Sequence, residues 1–502
     1  MKRILLLLAC CFTFMAGQAA DTYFSVIENG VKLWFRIWDP AYEYLYKSYD
    51  ASVNEVEITY PRDGNQKYPS GIDLVVPETV EYGGKTYHVT YLGQIVADQL
   101  NSLSLPASIK KAGQYVLSTM DLKHFHTPEN LTELGNQMLY LSQVEEVWLA
   151  PNVKRLESFC LYSFKIKHVH GFAQTHIEKI RHRVTLCKDD MVQDFAVLPP
   201  TLRIMETGAF ADYVTHADKY LPVTTLDIPQ TVEQFGRNYD VSQRVNVPHK
   251  IPFTIDSDAF GTQTTLEIFV PTDYSFAYKG ATGTNWMGYS DKIREEVKLG
   301  STGYTSYYLE NENFEVPSGC TAYIITGITP SGSIMTPDQA VVKAFTAGKI
   351  IPKQTGFILQ GAANSTVVYQ ANVTGTEESV TGNLLIGTAT EQEFNASGYK
   401  YYIFSNNGDE GLGFYKQGTR NGASIKLAAH RAGLRLPLAI APAKGFTIDF
   451  ESARKEAETT GIRTVKPTTP AKENVIYDLQ GRRVMNPGRG IYIVNGKKVV
   501  RE

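Results

Sequence analysis

The stretch that decides the fold is Leu100-Asn101-Ser102-Leu103-Ser104-Leu105-Pro106-Ala107-Ser108-Ile109. Its apolar residues follow L-x-x-L-x-L, a Pro closes the run, and Ile109 lies three residues further on. Twenty-two residues later Leu122-Lys123-His124-Phe125-His126-Thr127-Pro128 keeps the same frame, and Val144-Glu145-Glu146-Val147-Trp148-Leu149 follows after another 22. Leu103, Phe125, Val147 and Val169 form one column at this step, and Leu100, Leu122, Val144 and Ile166 form another. Four more columns hold it: Ile109, Leu131 and Val153; Ala112, Leu134 and Leu156; Val116, Met138 and Cys160; Leu117, Leu139 and Leu161. Alternation in each run predicts a strand with one buried face, ended by a Pro that cannot donate to a ladder. One such unit cannot bury its apolar face alone. Stacked units can, so the period predicts a solenoid whose parallel strands form one long sheet wall.

Beyond Ile166 the period loosens through insertions, and His170 to Asp194 barely fits it. It returns as Val223-x-x-Leu226-x-Ile228-Pro229 and Val245-x-Val247-Pro248. The units resemble the BspA-like class of bacterial leucine-rich repeats. The resemblance rests on Leu103 to Ile109, on Leu226-Asp227-Ile228-Pro229-Gln230-Thr231-Val232, and on the Gly208-Ala209-Phe210 and Asp258-Ala259-Phe260 pieces. Ile268-Phe269-Val270-Pro271 with Tyr278 and Trp286 is similar to the end of such an array, and Phe24-Ser25-Val26 with Gly30-Val31-Lys32-Leu33-Trp34 to its β-rich lead-in. The resemblance covers about residues 21–292. It implies the solenoid fold and a role in surface binding or adhesion.

The remaining chain has other signatures. Lys2 and Arg3 precede an apolar run from Ile4 to Met15 and then Ala16, Gly17, Ala19 and Ala20, the layout of a cleaved signal peptide over 1–20. A lipoprotein reading with Cys10 acylated is the alternative. The expected division is a signal peptide at 1–20, a lead-in at 21–70, repeats at 71–292, a β-sandwich-like domain at 300–451, a linker at 452–473 and a tail at 474–502. Strand-like runs in the fourth piece are Tyr304 to Leu309, Thr321 to Ile325, Thr355 to Leu359, Thr366 to Tyr369, Lys400 to Phe404, Gly413 to Lys416 and Gly445 to Phe450. Tyr401 to Phe404 and Leu412 to Tyr415 read as a hairpin around Asn406 to Asp409. Thr459-Thr460-Gly461 and Pro467-Thr468-Thr469-Pro470 have linker composition. Gly490-Ile491-Tyr492-Ile493-Val494, Asn495-Gly496 and Lys497 to Val500 read as a hairpin that resembles type IX secretion sorting tails. That resemblance implies contact with secretion machinery; the tail is either a cleaved address or a structural cap. The fold class is mainly β.

Functional readings follow from these pieces. A net charge of −3 provides no general field for nucleic acid. No later stretch is apolar enough for a transmembrane helix. Three widely spaced cysteines outside the signal, Cys160, Cys187 and Cys320, make neither a disulfide framework nor a metal pattern and read as small buried hydrophobes. No G-x-S-x-G, H-E-x-x-H, G-x-x-x-x-G-K-[ST] or C-x-x-C string occurs outside the signal, so the chain reads as a non-enzyme with no implied cofactor.

One constellation stands out. Outward positions between the buried columns are Ser102, His124, Glu146 and His168, then Ser104, His126, Trp148 and His170. Strands ~4.8 Å apart make these a patch on the exposed sheet face. Three uses compete: a solvated face, a ligand face with Trp148 as aromatic anchor, and a metal site using an H-x-H pair with Glu146. His124 and His168 lie two strands apart, ~9.6 Å, so they cannot share an ion directly. Four imidazoles make the patch responsive between pH 5 and 8. Thr225 and Asp227 flank it. The first hypothesis is an exported binding protein at the cell surface, in the outer membrane or secreted, with a protein or glycan ligand on His124, His126, Glu146, Trp148, His168 and His170. The alternatives are a periplasmic location, and an envelope-associated hydrolase or metal-binding protein using the His patch or the C-terminal β domain.

Overall fold

The computed structural model describes residues 22–37, 54–186, 188–210, 220–333, 335–408, 411–441 and 446–460, and in the tail 476–478, 484, 488–494 and 497–501. The signal-like segment 1–20, Cys187, Asp409 of the first expected hairpin turn, and the second turn Asn495-Gly496 lie outside the described residues.

The chain enters through a hairpin, Thr22–Glu28 against Val31–Ile37. Asn29 and Gly30 turn it with φ of 51° and 79°, the left-handed conformation a tight two-residue hairpin needs. Glu55–Thr59 pairs with its second strand and, in parallel, with Lys85–Leu92. Lys85–Leu92 also pairs with Thr79–Tyr82 and Lys111–Ala112. The boundary expected at residue 70 therefore does not divide this sheet: it joins the lead-in to the first repeats.

The array has two ladders. On its back, six parallel two-residue strands follow in sequence: Glu133–Leu134, Arg155–Leu156, Lys179–Ile180, Ile204–Met205, Gln234–Phe235 and Thr254–Ile255. On its front lie β1 (Leu100–Ser104), β2 (His124–His126), β3 (Glu146–Trp148) and β4 (His168–His170). The 22-residue columns fill the space between. Leu131, Val153, Leu134, Leu156, Met138, Cys160, Leu139, Leu161, Val144 and Ile166 are fully buried. One core runs from Phe24 to Ile293. Each buried Leu or Ile contributes about 1.5–3 kcal/mol.

The front is not one wall. β1 pairs with Ile72–Val75, and towards β2 it is joined by an isolated bridge between Gln99 and Asp121 rather than by a ladder. Leu103, on the column that is buried in β2, β3 and β4, is half-buried there. β2, β3 and β4 form a separate three-stranded sheet. After β4 the insertion that opens at residue 171 holds short helices, Phe172–Gln174 and Val192–Phe195 among them. The wall resumes with β5 (Leu221–Asp227), β6 (Tyr239–Asn246) and β7 (Glu267–Phe269). The expectation of a single sheet is thus corrected to three front segments.

Thr127, which stands before Pro128 where Leu105 stands before Pro106, is buried and satisfied. Its hydroxyl donates to the Trp148 carbonyl at 3.2 Å and accepts from Ala150 N at 2.7 Å. Another feature has no sequence signature. Tyr115, Gln137 and Phe159, each 22 apart, and then Arg183 have φ of 57°, 54°, 60° and 53°, and Gly208 ends this column at 66°. Each repeat turns through the left-handed region at that point, with a side chain present in four of five cases.

β8 (Ile293–Lys298) closes the array. It pairs in parallel with β7 and antiparallel with Thr366–Tyr369. One strand thus belongs to both the array and the second domain, across the boundary expected at 292–300. The second domain pairs Tyr304–Tyr307, Phe357–Gln360, Thr321–Thr329, Asp338–Phe345 and Phe446–Thr447 in one sheet, and Leu385–Thr388, Arg431–Pro437, Tyr399–Gly408 and Gly411–Tyr415 in another. The expected hairpin forms, with Ile403 opposite Tyr415 and Phe404 opposite Phe414. Residues 452–460, expected to open the linker, are helical instead. Phe450–Thr460 is an α-helix whose Phe450 and Ala453 are buried against the domain, and Asp449 accepts Ser452 N at its start. Those apolar residues lie on one helical face, which composition alone does not reveal. Residues 461–473 lie outside the described residues. In the tail, Ile476–Tyr477, Gly490–Val494 and Lys497–Arg501 form a three-stranded antiparallel sheet.

Candidate functional site

β2, β3 and β4 place the six singled-out side chains in register. Glu146 is opposite His124 and His168, and Trp148 is opposite His126 and His170. Phe125, Val147 and Val169 between them point into the core. Period-2 alternation therefore puts all six on one outer face.

Their packing is specific. The His126 ring lies 4.3 Å from the Trp148 ring at 7°, and the His170 ring 4.7 Å away on the other side at 22°. His124 is 5.7 Å from Trp148 and tilted by 52°. The indole is sandwiched between imidazoles, so both its faces are used within the protein. What faces solvent is a row of ring edges, electropositive at their C–H bonds and carrying N–H donors. Trp148 thus does not offer an open platform for stacking.

Acidic groups fix the far end of the row. Glu146 Oε2 is 3.1 Å from His170 Nε2. Asp194 Oδ2 is 3.3 Å from His168 Nδ1 and accepts Val169 N at 2.9 Å. Asp194 belongs to the site although sequence reasoning missed it. It sits in the insertion where the repeat period fails, 26 residues from His168, so no spacing rule points to it. At the other edge, Glu145 lies between Lys123 and Lys167, and those two ammonium groups pull its carboxyl down to about 2. His126 is held below the usual imidazole range, first by burial and then by the charges of His124 and His170.

Ser102 and Ser104, from the first unit, are exposed on β1, outside this three-stranded sheet; Ser102 donates to Asp73 at 2.6 Å. Thr225 and Asp227 lie on β5, beyond the insertion, where Asp227 accepts from Asn246 at 2.5 Å. Neither pair joins the ring stack. Among the described residues, no three His, Cys, Asp or Glu side chains converge as a metal-ligand set. Cys160 and Cys320 are buried free thiols. Among the described residues, no helix is long and apolar enough to cross a membrane.

Residues 97–184, which include the whole ring stack, match the family model described as "BspA type Leucine rich repeat region (6 copies)". Among solved structures, a leucine rich cell surface protein from Faecalibacterium prausnitzii aligns over 52% of this chain and 93% of its own, with 13% identity and a TM-score of 0.18. A leucine-rich repeat protein from Bacteroides ovatus aligns over 45% and 70%, with 12% identity and a TM-score of 0.20. The pneumococcal vaccine antigen PcpA aligns over 52% and 97%, with 11% identity and a TM-score of 0.15. No curated protein matches. Residues 97–184 are BspA-type in sequence pattern, and the fold is a mainly β leucine-rich-repeat solenoid.

Proposed function

We propose that this chain is an exported binding protein, held at the cell surface or secreted, that recognises an extracellular protein or glycan through the outer face of β2, β3 and β4. The observation that carries the reading is the His126–Trp148–His170 stack. Three aromatic rings at matching positions of successive repeats give a rigid, partly desolvated ridge. Such a ridge loses little rotamer entropy on binding, and its edges suit carbonyl or hydroxyl oxygens. Glu146 and Asp194 orient two of the imidazoles and add acceptors. The BspA-type match and the signal-like start support export and surface binding. In this reading the second domain is a spacer or second module, and the tail engages secretion machinery.

The test is protease shaving of intact cells that produce either the full chain or a version ending at Glu473. Cleavage of the full chain with protection of the shortened one supports surface delivery through the tail. Cleavage of both only after the outer membrane is opened would place the protein in the periplasm and overturn the surface reading.

A further inference from the structure

The second domain contains a cleft of about 370 Å³ between its two sheets. It is lined by Arg431, the first residue of Arg431–Pro437, and by Tyr304, Thr305 and Ser306 of the strand Tyr304–Tyr307 in the facing sheet. The guanidinium crosses between the sheets. Its Nη1 donates to Thr305 Oγ1 and, at 3.1 Å, to the Ser306 carbonyl. Among the described residues, no carboxylate pairs with Arg431, and its Nε and Nη2 have no hydrogen-bond partner. The other cation of the cleft is neutralised: Lys426 Nζ is 2.5 Å from Glu391. Among the described residues, Arg431 is therefore a guanidinium anchored through Nη1 with its Nε–Nη2 edge unused.

That edge is the part of arginine that takes a carboxylate by two parallel hydrogen bonds. Anchoring through Nη1 has already removed much of the side chain's freedom, so binding forfeits less entropy. The surroundings narrow the ligand further. Thr302, Thr305, Ser306 and Asn406 provide hydroxyl and amide groups around the guanidinium, while Ile403 and Leu427 provide short apolar surfaces. The tyrosine and phenylalanine of the cleft are not free platforms: Tyr304 and Phe404 both pack on Phe450, at 5.2 Å and 6.2 Å. A volume near the lower end of small-molecule pockets, lined by hydroxyls, fits one or two polyhydroxylated rings better than an apolar ligand.

We infer that this cleft binds a carboxylate-bearing saccharide, a uronic or sialic acid unit, with the sugar carboxylate on Arg431 Nε and Nη2 and the ring hydroxyls on Thr305 and Asn406. The site is separate from the array and does not depend on the ligand of the ring stack.

The experiment titrates the full chain lacking residues 1–20 with sodium glucuronate, N-acetylneuraminate, glucose and a blocked tri-glutamate peptide, by calorimetry and ligand-observed NMR. Saturable binding of at least one acidic sugar is expected, with glucose and the peptide each weaker by about tenfold or more, the scale of one charge-assisted contact. Arg431→Lys, which keeps the charge but loses the fork, weakens the acidic sugar by a similar factor. Because Arg431 also bridges the sheets, Asn406→Asp is the second variant. It places a negative charge in the cleft without touching the Arg431 hydrogen bonds, and abolishes binding with the melting temperature unchanged. Equal binding of glucose, equal or tighter binding of the peptide, or no saturable binding of either acidic sugar would overturn the assignment.

Discussion

The imidazole of His126 lies flat on the indole of Trp148, centroids 4.3 Å apart and planes 7° apart, though 22 residues separate them. The contact exists because one repeat period equals one strand step of the sheet. It also removes water from His126, and burial is the first cause holding that imidazole below its usual range. Trp148→Ala should therefore raise the His126 titration midpoint towards an ordinary imidazole. Following the histidine ring protons by NMR against pH checks this. An unchanged midpoint would mean that the charges of His124 and His170, rather than the indole, hold His126 down.

The same shift sets a direction for stability. The folded His126 binds its proton less readily than the unfolded chain does, so the contribution is fully present above the unfolded value of about 6.5. It is lost as pH falls through the lower folded value. His249, buried beside Phe253, is shifted the same way by burial. Denaturant midpoints should fall between pH 7 and pH 5, and His126→Gln should reduce that slope. A slope identical to that of the parent protein would assign the acid sensitivity to other groups.

How far the sequence announces this structure can be traced residue by residue. Phe125, Val147 and Val169 repeat at 22, so both the burial of that column and the alignment of His126, Trp148 and His170 are readable beforehand. Three things are not. Asp194 reaches His168 from an insertion without a period. The faces of Trp148 are closed by its neighbours, because ring orientation is a packing outcome that spacing leaves open. The wall breaks on both sides of β2–β3–β4, although Leu103 keeps the column. In the second domain the Tyr401–Tyr415 hairpin is legible from its turn, whereas Asp338–Phe345 lacks clean alternation and escapes notice. The Arg431 cleft joins residues 126 apart in the chain, a distance no motif encodes.

Two positions of the repeat respond oppositely to small changes. A Cβ on Gly135 would lie 2.3 Å from the Gly113 carbonyl oxygen and 2.5 Å from that of Ala112. Neighbouring backbone cannot move away cheaply, so Gly135→Ala should destabilise by about 1–3 kcal/mol. Gln137, two residues on, has a left-handed φ of 54° with a side chain in place. Gln137→Gly relieves that strain and should stabilise by up to ~1 kcal/mol, the unfolded-state entropy of glycine offsetting part of the gain. Equilibrium denaturation of both variants decides the matter. A neutral Gly135→Ala would mean that the coils of the solenoid can separate locally.

The junction between array and second domain makes the last prediction. Glu295, on the shared strand β8, is fully buried and accepts hydrogen bonds from Asp273 N, Tyr274 N, Ser275 N, Ser275 Oγ and Tyr369 OH. Glu312 is buried beside it and accepts Phe276 N at 2.8 Å. Burial first, and then the Glu295 carboxylate, push the Glu312 carboxyl well above the usual carboxylate range. The folded protein thus keeps a proton that the unfolded chain releases above about pH 4.5. This contribution is full below the unfolded value and declines as pH rises towards the folded one. Glu312→Gln keeps the shape and the acceptor without the titration. It should match the parent at pH 4 and melt at a higher temperature at pH 8, the difference growing with pH. Glu295→Gln should destabilise by about 2–4 kcal/mol, since it leaves buried N–H donors without a carboxylate. If Glu312→Gln melted below the parent at pH 8, Glu312 would be serving there as an ionised acceptor, and the two modules would be held by charge rather than by a retained proton.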